Sequence, residues 1–438
     1  MSGGIYGGDE IGAVVFDFGS NSIRAGFAGE DTPKADLPAS IGVLHEASAV
    51  DTDDSVKKIS KTKYYIGTNK VKLPIADMTV TNLIKDGMIE NWELFEKALD
   101  HLYTFSIQSQ SAYHPVVMSE AAWNTRSNRE KLTELLFEKY SIPAFFLVKG
   151  PVLAAFAHGR TSGVVLDSGA ELTSAVPVHD GYVLKNAIIR SPLAGDFISR
   201  QCKDYFTNSG IDLVPLYSVA SKEAVSEGSE PIWKKKSNVD RVTPSYHEFM
   251  LKDLIQDFTA SVLQVNTEST YDKDSISQMP RVSYDFPNGC NASFGEERFR
   301  ISEGLFDSNM IISSECIKSL TSANVNVTSS TLTMCEAVQK AVSLCDIDIR
   351  ASLFGNVIVT GGNSLILGFT ERLNKDLGSR VASNVKLKVV SNSGTAERRF
   401  STWVGGSILG SLGSFHQLWI SKQEFEETGK SIVEKKCP

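Results

Sequence analysis

The sequence is poor in the residues that build disulfide frameworks and metal clusters. Its 438 residues include six cysteines, with no C-x-x-C pair and no metal-ligand spacing, and seven histidines. Cysteines arranged in this way are typical of the reduced thiols of an intracellular protein. The histidines form no H-E-x-x-H motif, and there is no G-x-S-x-G motif. The familiar signatures of zinc proteases and of serine hydrolases are therefore absent.

Long apolar runs and an excess of positive charge are also missing. No apolar stretch approaches the ~20 residues that cross a bilayer, and the N-terminus lacks the basic-then-apolar pattern of a secretory signal. We therefore expect a soluble protein of the nucleocytoplasmic space that has no membrane partner. The formal net charge of −8 disfavours a protein whose main task is to clamp DNA phosphates. The length suggests roughly two to four domains.

One short pattern occurs twice and is the most informative feature of the chain. Residues 14–20 read VVFDFGS and residues 164–170 read VVLDSGA, so Asp17 and Asp167 each end an apolar run and precede a glycine-containing turn. Free N–H groups in such a turn form an anion-binding concavity, and aspartate supplies hard oxygen for magnesium, usually through water. A single pattern of this kind is more often only a turn. Two of them could close on a phosphate chain from opposite sides.

A third element strengthens the case for a phosphate site. Residues 357–364 read VIVTGGNS, which predicts a strand broken by a Gly-Gly turn, and Leu365 to Leu377 are predicted to form a helix. A nucleoside or phosphate can approach a helix N-terminus at such a place. The three elements together favour a nucleotide site over three unrelated turns.

These elements resemble, in order, the two phosphate loops and the adenosine loop of the actin superfamily. Further segments across nearly the whole chain also resemble actin, namely residues 23–31, 114–120, 128–131, 295–300, 345–350 and the run from 403 to 424. Three segments resemble the nuclear subgroup that serves chromatin-remodelling complexes, namely residues 1–10, 221–225 and 434–438. This subgroup is the actin-like-6 (BAF-subunit) type of animals and the fourth actin-related class of yeast.

The resemblance implies an α/β, actin-like and ribonuclease H-like fold, with two lobes and four subdomains around a nucleotide cleft. The alternation of strand and helix patterns along the chain agrees with an α/β architecture. The implied subdomains are residues 1–38 with 83–157 and 401–438, residues 39–82, residues 158–193 with 313–400, and residues 194–312.

Two stretches interrupt the alternation. Residues 46–63 are polar and poor in periodicity, which predicts a mobile loop. Residues 213–279 are longer than the matching part of actin and contain the basic triplet 234–236. That triplet is either part of a solvated loop or part of a nuclear-import signal or partner contact.

The resemblance implies ATP with magnesium as the ligand of the cleft. Asp17 and Asp167 match the aspartates that hold magnesium through water. The other positions that match nucleotide contacts are Gly19, Ser20, Arg24, Ser168, Gly169, Gly361, Gly362, Asn363 and Arg399.

Several positions depart from the actin pattern and predict an altered affinity. Arg24 and Arg399 stand where actin has lysines, and the planar guanidinium is not equivalent to an ammonium group. The other departures are Asn21 for a glycine, Ala170 for a phosphate-side aspartate, and Ile255 with Gln256 for a lysine–glutamate pair.

The positions that serve hydrolysis in actin are also changed. Phosphoryl transfer to water needs a side chain that orients the attacking water. Gly150 stands at the position of the glutamine that performs this task in actin, and Ser174 stands at the position of the assisting histidine. Glycine has no side chain to orient water, and serine does not take up a proton near neutral pH as histidine does. We therefore predict no catalytic residue, although other groups could substitute for these two.

A second function is predicted near the C-terminus. Five hydrophobic residues fall at helical spacing on one face, namely Ile408, Leu409, Leu412, Phe415 and Leu418. In actin the matching positions, with an aromatic matched here by Phe156, line a cleft that accepts an amphipathic helix. The alternative is that about half of these residues belong to the core.

Two functions remain open at this point. The first is a non-catalytic structural subunit of nuclear chromatin-remodelling complexes, the SWI/SNF type among them, and of histone-acetyltransferase complexes. Its implied partners are actin, the helicase/SANT-associated helix of a remodeller ATPase, other subunits of these complexes and, indirectly, histones or DNA. The alternative is an ATP-hydrolysing filament or chaperone-type ATPase.

Overall fold

The computed structural model describes residues 12–52, 55–237, 239–312 and 331–438 of the chain. Residues 1–10, which contributed to the subgroup resemblance, lie outside the described residues, as do residues 313–330. Among the described residues, no helix combines the length and apolar character that a membrane crossing requires.

Two six-stranded sheets form the framework. In spatial order, the first sheet contains Ile420–Ser421, Ala144–Lys149, Val116–Glu120, Val14–Phe18, Ser22–Phe27 and Ala35–Pro38. The second sheet contains Tyr182–Val183, Thr173–His179, Gly163–Ser168, Val357–Thr360 and Val389–Val390, with Ile189–Ser191 paired to the Thr173–His179 strand.

The two sheets repeat one arrangement. Each contains an antiparallel hairpin whose first strand ends near an aspartate, and the register pairs Asp17 with Arg24 and Asp167 with Ser174. The same strands have parallel neighbours, Val116–Glu120 in the first sheet and Val357–Thr360 in the second. Both aspartates therefore lie towards the carboxyl ends of central parallel strands, where α/β proteins bind ligands.

The helices separate and flank the sheets. The α-helices are Thr68–Val71, Trp92–His101, Arg126–Glu138, Gly150–Ala157, Gly195–Asn208, Pro244–Val262, Lys273–Ser277, Glu297–Glu303, Met334–Ser343, Ile347–Phe354, Phe369–Arg380, Thr395–Arg399, Ser401–Ser411, Lys422–Thr428 and Ile432–Lys436. A π-helical turn spans Leu102–Ile107, and 3-10 turns span Ser111–Tyr113, Lys185–Ala187, Leu216–Ser218, Ser308–Met310, Gly362–Leu365 and Gly413–Leu418.

Two helices cross in the core between the sheets. At Gly405 in the helix Ser401–Ser411, an added Cβ would lie 1.9 Å from the carbonyl oxygen of Leu153, in the helix Gly150–Ala157. Only glycine allows so close an approach of the two backbones. In the same helix, the fully buried Trp403 donates its indole N–H to the carbonyl of Val15 at 3.1 Å. This crossing fixes the helix that carries Gly150 against the first sheet.

The remaining strands form small sheets. A three-stranded sheet contains Ser55–Tyr65, Ser40–Thr52 and Thr79–Asn82, and the two-stranded sheets pair Ile84–Lys85 with Met88–Ile89, Val219–Lys222 with Trp233–Lys235, and Val282–Asp285 with Asn291–Phe294.

Residues 46–63 were predicted to form a mobile loop, but the described residues of this stretch lie in two strands. The strands Ser40–Thr52 and Ser55–Tyr65 pair in antiparallel register from Gly42 opposite Tyr65 to Thr52 opposite Ser55. The hydrogen bonds of such a ladder come from the main chain, so a polar sequence does not prevent pairing. Two lysines of the basic triplet are likewise not in a loop, because Lys234 and Lys235 lie in the exposed strand Trp233–Lys235, which Lys236 follows.

The C-terminal hydrophobic positions do not form one face of a continuous helix. The helix ends at Ser411 and is followed by the 3-10 turn Gly413–Leu418. Leu409 and Phe415 are buried, whereas Ile408, Leu412 and Leu418 are exposed. Within the helix, Leu409 faces the core and Ile408 faces solvent, and the helix ends before Leu412.

Candidate nucleotide site

A cavity of about 620 Å³ lies between the two aspartate hairpins. This volume is typical of small-molecule and cofactor sites. The cavity is lined by nearly all of the residues predicted to bind nucleotide, namely Asp17, Gly19, Ser20, Arg24, Asp167, Gly169, Gly361, Gly362, Asn363 and Arg399. The fold thus brings together three loops that are far apart in the sequence.

Asp17 is held by two side chains of the first sheet. The Arg24 guanidinium donates to its Oδ2 at 2.8 Å, and the Ser119 hydroxyl donates to its Oδ1 at 2.6 Å. The hairpin register places Arg24 directly across from Asp17. Arg24 also donates to the Ser22 hydroxyl at 2.7 Å and lies over the ring of Phe400. Because both carboxylate oxygens of Asp17 are engaged, this group suits contact with a cation through water better than direct ligation.

Asp167 faces Asp17 from the second sheet. Burial and, to a smaller extent, the negative charge of Asp17 raise the pKa of the Asp167 carboxyl to about 6, against the opposing effect of the positive charge of Arg24. Two carboxylates that disfavour each other's ionised form are stabilised by a cation between them. The acidic pair therefore fits magnesium, which binds hard oxygen donors and usually keeps several waters.

Gly361 brings the third loop against Asp167. Its φ is +91°, and an added Cβ would lie 2.2 Å from the carbonyl oxygen of Ser168 and 2.5 Å from Oδ1 of Asp167. The backbone of this loop can approach the second aspartate turn only because residue 361 is glycine. The predicted helix begins later than expected, at Phe369, because the 3-10 turn Gly362–Leu365 intervenes.

Ser168 supports the loops and does not line the cavity. Its side chain is fully buried, accepts a hydrogen bond from the Asn363 amide at 3.0 Å, and shares a hydrogen bond of 2.8 Å with the Thr173 hydroxyl. Thr173 in turn donates to the carbonyl of Leu193 at 2.6 Å. The Ser168 hydroxyl already has partners within the protein, and the prediction that Ser168 contacts the nucleotide stays a prediction.

Two of the departures from actin meet across the mouth of the cavity. The Gln256 amide, in the helix Pro244–Val262, donates to the Asn21 side chain at 3.1 Å. The neighbouring Ile255 is buried in the core of the second lobe and does not reach the cavity. Arg399 pairs with Asp36 at 2.7 Å at the same end. The changed residues therefore form contacts of their own in this cleft.

The two positions that matter for hydrolysis also line the cavity. Gly150 is the first residue of the helix Gly150–Ala157, and Ser174 is a buried residue of the strand Thr173–His179. A Cβ at Gly150 would meet the carbonyl of Glu120 and the Thr402 side chain at 3.6 Å, which is ordinary contact. The fold has room for a side chain at Gly150, but the sequence supplies none.

Among the cavity residues that the sequence analysis did not predict, Ser119 and Glu171 carry side chains that bear on the site. Ser119 lies near the carboxyl end of the parallel strand Val116–Glu120, and that position could have marked it as a site residue. Glu171 follows the second aspartate turn and carries a carboxylate into the cavity.

The residues predicted to bind a partner are divided by the structure. Ile408 and Leu412 are 41% and 47% exposed, and Phe156 is partly buried against the core. Leu409 is 8% exposed and packs in the core of the first lobe. Leu409 is therefore not available as a docking residue, because the helix turns it inwards.

Comparison with known proteins agrees with the geometry. The family model described as actin matches residues 8–438. Actin-related protein 4 of Arabidopsis thaliana is 36% identical over 449 residues, which covers 99% of this chain and 100% of the relative. Actin-related protein 4 of Yarrowia lipolytica is 36% identical over 440 residues, with 99% and 97% covered. Actin-related protein 4 of Emericella nidulans is 34% identical over 479 residues, with 99% and 98% covered.

The chain therefore belongs to the actin family. Within that family, its full-length similarity to these relatives places it in the actin-related protein 4 class. The predictions of the family, of the class and of an actin-like α/β fold are confirmed. The actin-family fold generally binds a nucleotide with a divalent cation, and the acidic pair and glycine-lined cavity of this chain fit such a ligand.

Proposed function

We propose that this protein is a non-catalytic structural subunit that holds a magnesium–adenine nucleotide, ATP by resemblance, without hydrolysing it. One observation carries the proposal. The cavity keeps both aspartates and the close-packed Gly361 loop, yet it has glycine at position 150 and serine at position 174. A site that retains its binding groups and lacks a water-orienting side chain stabilises the fold without turnover.

Each group in the cleft has a task in this account. The bound nucleotide would supply the negative charge that a cation and the loop N–H groups neutralise. Asp17 and Asp167 would hold the cation through water, and Arg24 orients the Asp17 carboxylate through an ion pair of 2.8 Å. Gly361 keeps the third loop close enough to complete the cavity. The ligand then ties together the two lobes that supply these loops.

We further propose that the subunit serves nuclear chromatin-remodelling and histone-acetyltransferase complexes. In this role it pairs with actin on a helix of the remodeller ATPase. The relatives are named only as actin-related protein 4, so this role rests on the subgroup resemblance and on the exposed apolar residues Ile408 and Leu412. Burial of such anchors contributes roughly 1.5–3 kcal/mol for each side chain fully removed from water.

A substitution at Leu412 tests the partner proposal. We expect Leu412→Asp to abolish co-purification with actin and the isolated remodeller helix, because it would bury an uncompensated charge. Nucleotide binding should be retained. Leu418→Asp is the matched control, since Leu418 is similarly exposed at 53% but lies at the far end of the 3-10 turn Gly413–Leu418. A folded Leu412→Asp protein that assembles normally would show that the contact lies elsewhere.

A further inference from the structure

Glu171 stands in the turn that joins the second aspartate strand to its hairpin partner. It lies between the strands Gly163–Ser168 and Thr173–His179, two residues beyond Gly169, and its side chain lines the cavity. Its Oε2 is buried and has no hydrogen-bond partner among the residues that the structure describes. A buried carboxylate oxygen without a partner is costly, so this group is a candidate for a role in the cleft.

The carboxylate reaches from the second aspartate turn to the first. The Ser20 hydroxyl and a backbone group of Asp86 both favour its ionised form, whereas burial, the larger effect, raises its pKa. Ser20 belongs to the glycine-containing turn after Asp17, and its hydroxyl is a donor for an anion on that side. Glu171 therefore brings an anion of the protein to one of the two turns that would hold a phosphate chain.

We propose that Glu171 occupies the place of a terminal phosphoryl group, so that the cleft prefers a nucleoside diphosphate to a nucleoside triphosphate. This inference rests on the proposed nucleotide-holding function and names the ligand class. A triphosphate must either displace the Glu171 carboxylate from Ser20 or place its terminal phosphate beside that carboxylate. Two neighbouring negative charges repel each other strongly in a partly buried site. A diphosphate leaves the carboxylate in place as the third anion of the chain.

The inference is tested by measuring two dissociation constants on the full-length protein in the presence of magnesium. The ligands are ADP and a non-hydrolysable triphosphate analogue, and the variants are Glu171→Gln and Glu171→Ala. The glutamine variant removes the charge and keeps the shape, and the alanine variant removes both. Glu230→Ala is the matched control, because Glu230 is exposed and lies outside the cavity.

We expect the natural protein to bind ADP at least about tenfold more tightly than the triphosphate analogue. This preference should fall about tenfold or more in both Glu171 variants and stay unchanged in the control. An unchanged preference in both variants would overturn the inference. A loss of triphosphate affinity in them would overturn it too, since Glu171 would then help to hold the cation or the ligand.

Thermal unfolding of the nucleotide-free proteins gives a second readout. Removal of a charge that lies in a partly buried site should raise the Tm of Glu171→Gln. A lower Tm would show that the fold itself needs the carboxylate and would contradict the inference. The two proposals fail separately. If the natural protein and both variants bind neither ligand, the nucleotide-holding function is wrong and the inference is wrong as well. If ADP binds and the variants keep the same preference for ADP over the triphosphate analogue, only the inference is wrong.

Discussion

Gly361 offers the sharpest test of how the cleft is built. Gly361 has a φ of +91° and a ψ of 150°. Residues other than glycine almost never adopt this backbone conformation, because it costs them about 1–3 kcal/mol. A Cβ would also lie 2.2 Å from the carbonyl oxygen of Ser168 and 2.5 Å from Asp167 Oδ1. Both neighbours are parts of the second aspartate turn, so relief of the clash must move the turn that presents Asp167.

The expected loss of stability follows from two effects, backbone strain and steric overlap of the added Cβ. Backbone strain of about 1–3 kcal/mol and overpacking of about 1–3 kcal/mol together predict that Gly361→Ala loses roughly 2–6 kcal/mol of unfolding free energy. Whole proteins are stable by only about 5–15 kcal/mol, so the loss is large. Nucleotide affinity should fall as well, because the displaced Asp167 no longer faces Asp17.

Urea unfolding and nucleotide titration measure the two effects, and the next residue supplies the control. A Cβ at Gly362 would meet nothing within 4 Å, so Gly362→Ala should change unfolding free energy by less than about 1 kcal/mol. Equal stability and equal nucleotide affinity of Gly361→Ala and Gly362→Ala would refute the reasoning.

Two further predictions concern buried charges. Arg372→Met should lose about 3–5 kcal/mol of unfolding free energy, measured in urea, because Arg372 is 2% exposed and holds Glu303 at 2.7 Å and Asp376 at 2.8 Å. The control Lys375→Met removes an exposed ion pair of the same helix and should have little effect. Equal losses in the two variants would contradict this account. The pKa of Asp167 is raised from 3.8 to about 6, so the folded protein without nucleotide binds an additional proton between these values. Its stability should therefore fall as the pH rises from about 4 to 6. Asp167→Asn should be more stable than the natural protein at pH 7, by up to about 3 kcal/mol. If the variant and the natural protein show the same dependence of stability on pH, Asp167 is not desolvated.

The sequence predicted the parts of the site that depend on local signals. Asp17 and Asp167 each lie near the end of a buried strand, and Gly361 follows another. A strand pattern followed by a small-residue turn was therefore sufficient to find all three. The side chain of Glu171 was missed because its place depends on how close the two aspartate turns come to each other. Those turns lie about 150 residues apart in the chain, and no local pattern reports their separation in space.

The errors elsewhere also have physical causes. The polar stretch 46–63 forms a ladder through main-chain hydrogen bonds, which side-chain periodicity does not report. Leu409 and Leu412 were assigned to one docking face, but the helix ends at Ser411 and leaves Leu409 inside and Leu412 outside. A helix end of this kind is set by tertiary packing, so helical spacing alone did not predict it.

The central claim is that the cleft binds nucleotide and does not turn it over. The most direct measurement is phosphate release from ATP by the purified full-length protein in the presence of magnesium, with bound nucleotide determined in the same sample. Our account predicts bound adenine nucleotide, a reduced amount in Asp17→Ala, and less than about one phosphate released per protein molecule, because Gly150 and Ser174 provide no side chain that orients water and accepts a proton. Sustained multiple-turnover phosphate release that disappears in Asp17→Ala would contradict it.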